Sequence, residues 1–66
     1  MELTINGERQ ALPRPMTVAQ LLAHLSVAQE RVAVEVNQAV IPRTLHAQHA
    51  LQPGDVVEVV TFVGGG

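Results

Sequence analysis

One stretch of this chain carries a helical stripe: Val18, Leu21, Leu22 and Leu25 fall at i, i+3, i+4 and i+7. A helix of roughly two to three turns does not hold its shape alone in water. It needs a sheet to lie on, and the rest of the chain has to supply one. Nothing can stand in for that packing. There is no cysteine, hence no disulfide and no thiolate metal site, and 66 residues are near the lower limit for an unstapled core. The composition suits such a core, being 47% hydrophobic with Val, Leu and Ala dominant. The entry to the helix is also written out. Thr17 can cap the first turn, Gln20 sits at the capping-box position, and Met16 is placed to staple onto Leu21. Gln20 and His24 fall off the stripe, toward water.

The flanking segments read as strands. Glu2 to Asn6 alternates polar and apolar with Leu3 and Ile5 inward. Asn6-Gly7 then suits a type I′ turn, because both residues tolerate positive φ. Glu8 to Leu12 returns antiparallel until Pro13 and Pro15 end the pairing. After the helix, Val32, Val34 and Val36 share one face of a strand and Glu35 takes the other. Asn37-Gln38 turns into a short segment, Ala39-Val40-Ile41, closed by Pro42. From Arg43 to Ala50 the pattern is indistinct and suits a 3₁₀ turn, with Leu45 and Leu51 expected to dip into the core. Gln52-Pro53-Gly54-Asp55 places Pro and Gly at the centre of a type II turn, and a last strand runs from Val56 to Val63.

The order β-β-α-β-β-β gives an α+β domain over residues 1–63, with a glycine tail at 64–66. A hairpin, a crossover helix and a long last strand suit a mixed sheet with that strand central, beside the first. Its apolar residues on both faces agree with a central position. This arrangement is the β-grasp, or ubiquitin-like, roll with one covering helix.

The helix covers only one face of such a sheet. With Glu58 toward solvent, Val57, Val59, Thr61 and Val63 point to the helix, while Val60 and Phe62 share the open face with Glu58. Phe62 is the chain's one aromatic residue, and exposed apolar groups on a sheet face mark a contact surface. The strand then runs into Gly64, Gly65 and Gly66. Three glycines carry the Gly66 α-carboxylate about 10 Å outward and pass through gaps that a side chain would block. A frayed, inert end is the bland alternative. Patch and tail together describe a protein that docks by its sheet through Glu58, Val60 and Phe62 and offers its terminus.

Other functions find little support. Four scattered arginines, no lysine and a net charge of −2 do not suit a phosphate-backbone binder. No run is long enough to span a membrane and the start is not a signal peptide, so a cytoplasmic location is expected. His46 and His49 stand at i, i+3 without a third ligand nearby, which reads as solvated loop histidines and no metal site. A Ser26, His24, Asp55 set can be written, but nothing brings its members together. The glycine run lacks the Lys and Ser/Thr of a phosphate loop, so activation of Gly66 falls to a partner and no cofactor is held by the chain itself.

With these features placed, the chain resembles the ThiS family, the sulfur carriers of bacterial thiamin biosynthesis. The resemblance runs through Val34 to Asn37, Val40 to Arg43, Leu51 to Asp55 and Val59 to Gly66. It implies an E1-like, ThiF-type enzyme that uses ATP and Mg²⁺ to adenylate the Gly66 carboxylate. A cysteine-derived persulfide would displace AMP to leave a thiocarboxylate, which would donate sulfur to a ThiG-type thiazole synthase. Gly64 and Gly65 would thread the tail into each active site, Gly64 being one glycine more than the minimal motif needs. The related small subunit of molybdopterin synthase and a ubiquitin-like protein modifier are the alternatives.

Overall fold

Asparagine turns build both hairpins of the sheet. In the first, β1 (Glu2–Ile5) pairs antiparallel with β2 (Glu8–Ala11). Between them Asn6 and Gly7 take φ of 50° and 84°, the two positive values that a type I′ turn needs and that Asn and Gly reach most readily. In the second, β3 (Val32–Val36) pairs antiparallel with β4 (Ala39–Ile41) through Asn37 and Gln38, at φ 52° and 73°. The computed structural model describes residues 1–62. Val63, Gly64, Gly65 and Gly66, on which the tail expectations rest, lie outside the described residues.

Neither hairpin touches the other directly. β5 (Val56–Thr61) enters between them, parallel to β1 and antiparallel to β3, and the sheet order is β2-β1-β5-β3-β4. The last strand is therefore central and beside the first, as its two-faced apolar composition suggests. The Pro53-Gly54 turn that launches it has Gly54 at φ 88°, and the Asp55 N–H donates to the Gln52 carbonyl at 3.1 Å, as a type II turn requires.

Helix α1 (Val18–His24) covers one face of this sheet. Val18, Leu21 and Leu22 are fully buried against Leu3, Ile5, Val34, Val36 and Val57, and Leu25 packs at the margin. The capping box forms in both directions. The Gln20 N–H donates to Thr17 Oγ1, and the Thr17 N–H donates to Gln20 Oε1. The next free N–H groups of the first turn go to the chain opposite: Val18 donates to the His49 carbonyl and Ala19 to the His46 carbonyl, at 3.0 and 2.9 Å. Met16 is buried in the same cluster as Leu21, which agrees with the staple.

Residues 43–49 depart from the expectation. The 3₁₀ turn is present, Arg43–Leu45, but it turns Leu45 outward and His46 inward. Leu45 is 45% exposed, whereas His46, read from the sequence as a solvated loop histidine, is 1% exposed. Its Nε2 lies 3.1 Å from the Ile41 carbonyl and its Nδ1 lies 3.2 Å from the Gln29 side-chain amide. The carbonyl only accepts, so Nε2 carries the proton of a neutral ring and Nδ1 is left as an acceptor. Gln29 satisfies it when its amide presents N–H, a half-turn of the side chain. With both ring nitrogens matched, burial costs little. Leu51 does enter the core as expected. A further 3₁₀ turn, Gln29–Arg31, leads into β3 and gives Gln29 its place beside the imidazole.

Candidate functional site

The face of the sheet opposite α1 is open to solvent. Side chains alternate along a strand, so burial of Val57 in β5 sends Val56, Glu58 and Val60 to the other side. Val60 is 54% exposed, Phe62 just past the strand is 57% exposed, and Val56 and Glu58 are exposed too. Thr61, expected on the helix side, is exposed because the strand has by then run past the end of the helix. The pairing register fixes the neighbours of these residues. Ala33 stands opposite Val60, Glu35 opposite Glu58, and Val40 of the edge strand β4 opposite Glu35. On the other flank Thr4 is level with Val56, and Glu2 forms an ion pair with Arg9.

Phe62 does not hang free. Its N–H donates to the Arg31 carbonyl at 2.7 Å, which prolongs the β3–β5 ladder by one bond beyond the strand. β5 is also held by two side chains that act as extra rungs. Asn6 receives the Val59 N–H on Oδ1 at 2.8 Å and donates Nδ2 to the Val59 carbonyl. It thereby continues the β1–β5 pairing after β1 has turned away. Asn37 receives the Val56 N–H on Oδ1 at 2.9 Å and donates Nδ2 to Asp55 at 3.0 Å. Asp55 in turn accepts the Gln52 N–H at 2.8 Å. Each hairpin asparagine thus sets its own turn and fastens the central strand. Both residues were legible as turn formers, but their second role depends on which strand lies alongside.

The arrangement sets a firmly held strand, with an exposed apolar stripe on one side, at the point where the chain leaves the sheet. It brings together Glu58, Val60 and Phe62 on one face and adds Val40, Val56, Ala33 and Glu35, which single-strand reasoning does not reach. Gly64, Gly65 and Gly66 lie outside the described residues. Among the described residues no group of three or more His, Cys, Asp or Glu side chains could hold a metal ion. No described helix is long and apolar enough to cross a membrane. A shallow groove of about 490 Å³ beside Glu2, Arg9 and Pro53 has its charged groups already paired with each other.

Residues 2–66 match the model of the ThiS family. The chain belongs to the ThiS family. It is 32% identical to the sulfur carrier protein ThiS of Escherichia coli, with both chains covered in full. The crystal structure of the thiamine biosynthesis protein ThiS from Geobacter metallireducens superposes with a TM-score of 0.85, at 39% identity over the whole of both chains. The β-grasp roll expected for a ThiS-family chain is thus the fold observed. A thiazole synthase of Paramagnetospirillum magneticum is 46% identical over all 66 residues, but this chain spans only 20% of that protein's length.

Proposed function

We propose that this chain is a sulfur carrier of thiamin biosynthesis that bears its sulfur as a thiocarboxylate at Gly66. The observation that carries the reading is the end-to-end correspondence with the ThiS family, terminal glycines included. The open face supports it, because a carrier worked on by other proteins needs a surface to present to them.

In this reading an E1-like adenylating enzyme joins the Gly66 carboxylate to the α-phosphate of ATP, with Mg²⁺ and release of pyrophosphate. A carboxylate is a poor electrophile until one oxygen becomes a leaving group, and the mixed anhydride with AMP supplies that. Persulfide sulfur derived from cysteine then attacks the carbonyl and AMP departs. Reductive cleavage of the resulting S–S link by a thiol leaves the thiocarboxylate. Thiazole synthase is the acceptor, and this chain is the co-substrate of both enzymes in the cytoplasm. Gly64 and Gly65 thread the terminus inward while Glu58, Val60 and Phe62 hold the body outside. With no cysteine in the sequence, no thiol of the carrier can intercept its own activated terminus.

The test is an intact mass after incubation with the adenylating enzyme, ATP and a sulfur donor, beside a chain lacking Gly66. Exchange of one oxygen for sulfur, absent from the shortened chain, is expected. An unchanged mass with an enzyme that is active on another carrier would overturn the reading.

A further inference from the structure

Glu35 and Glu58 stand directly opposite one another across the β3–β5 pair, on the open face. Like charges placed so are destabilising in a sheet. Among the described residues neither carboxylate has an ion-pair partner, the ion pair present being Arg9 with Glu2 on the far flank. Arg31, whose carbonyl receives the Phe62 N–H, lies two pairs further along the strands. The two glutamates are ringed by apolar groups: Val40 beyond Glu35, Val56 and Val60 on either side of Glu58, and Phe62 beyond Val60.

A partner that covers this ring must take both carboxylates out of water. A purely apolar surface would leave them desolvated and unpaired, at high cost. A second copy of this chain, docked by the same face about a two-fold axis, would bring four carboxylates together. The face therefore selects against both. It suits a cation that can serve two carboxylates on adjacent strands at once. A guanidinium does this better than an ammonium, since its planar fork offers five donors and gives up water more readily.

We propose that the Glu35–Glu58 pair is a receptor for an arginine of the thiazole synthase partner, seated within the Val40, Val56, Val60 and Phe62 ring. This rests on the sulfur-carrier reading and adds to it what the acceptor must present. The unfavourable pairing in the free carrier is relieved in the complex, so the carrier gives up some stability for recognition.

The experiment titrates thiazole synthase with the full chain, its Glu35→Gln/Glu58→Gln double variant, a Glu58→Lys variant and a Glu8→Gln control at the hairpin tip, at low and high salt. The double variant is expected to bind at least ~10-fold more weakly and with less salt dependence, while melting no lower than the unaltered chain. Glu58→Lys gives Glu35 an opposite charge across the pair, so it is expected to melt higher and bind least. Glu8→Gln is expected to bind normally. Binding of the double variant within about twofold of the unaltered chain, or an equal loss with Glu8→Gln, would overturn the proposal. So would a loss seen only toward the adenylating enzyme, titrated in parallel. If the unaltered chain acquires its thiocarboxylate and the double variant still binds normally, this inference alone fails. If no thiocarboxylate forms at all, the carrier reading fails and takes the inference with it.

Discussion

Replacing His46 by Ala should damage this fold more than replacing Leu45 by Ala, the reverse of what hydrophobicity suggests. His46 is 99% buried by solvent accessibility, the complement of its 1% exposure. Its removal deletes contacts to Gln29 and to the Ile41 carbonyl. Each such hydrogen bond contributes about 0.5–1.5 kcal/mol, and a buried acceptor left unsatisfied costs about 1–3 kcal/mol. Part of that is recovered where water enters the space, so a loss of about 2–3 kcal/mol is expected after the cavity is included. A domain of this size has only some 3–10 kcal/mol in total, and 1 kcal/mol moves its midpoint temperature by about 4–8 °C. His46→Ala should therefore melt roughly 10–20 °C lower. Leu45→Ala, at a half-exposed position, should stay within about 0.5–1 kcal/mol. Urea unfolding of both variants followed by circular dichroism gives the two values, with similar slopes against denaturant if the unfolded states match. A His46→Ala loss below about 0.5 kcal/mol, or a larger one for Leu45→Ala, would refute the assignment of this imidazole as a structural keystone.

Three further outcomes are expected. Asn6→Gly and Asn37→Gly keep the positive φ of each turn but delete the side-chain rungs. Each should cost about 0.5–1.5 kcal/mol, with faster amide exchange at Val59 in the first and at Val56 in the second. Exchange that rises equally at all strand residues would show that the asparagines are turn formers only. Gly54→Ala has open space for its Cβ, so its cost should be conformational alone, about 1–2 kcal/mol at φ 88°, read from the urea midpoint. A variant as stable as the parent would remove the case for a type II turn. Phe62→Ser should leave stability within about 0.5 kcal/mol while slowing thiocarboxylate formation or sulfur delivery, followed by intact mass. A destabilised fold would instead place Phe62 among the core residues.

Much of this was legible in advance because local signals and the global fold agree. Thr17 with Gln20, Asn6 with Gly7, and Pro53 with Gly54 each have one favoured backbone outcome, and each occurs. The valine alternation of β3 and the stripe of α1 decide which faces are buried, since a slip by one residue would expose the whole set. The position of Phe62 followed from the same alternation. Residues 43–49 resisted because a 3₁₀ turn has a three-residue period that three positions cannot reveal. The polar contacts that allow His46 to be buried come from Gln29 and Ile41, distant in sequence. The Glu35–Glu58 opposition was hidden for a related reason. Each glutamate alone is an ordinary solvent-facing strand residue, and only the register of two strands 23 residues apart in numbering (58 − 35) sets them face to face.

The place of β5 also has a consequence for how the molecule comes into being. The two hairpins are local and can form as soon as they are made, but they share no strand pairing until residues 56–61 arrive between them. Contacts such as that of Asn6 with Val59, separated by 53 residues, carry a large loop-closure cost before they return anything. A nascent chain therefore stays an incomplete sheet, with two unpaired inner edges, almost until its synthesis is finished. Folding and the delivery of the working end are then one event, and a chain interrupted before residue 56 offers quality control an open edge to seize instead of a stable fragment that could occupy a partner unproductively.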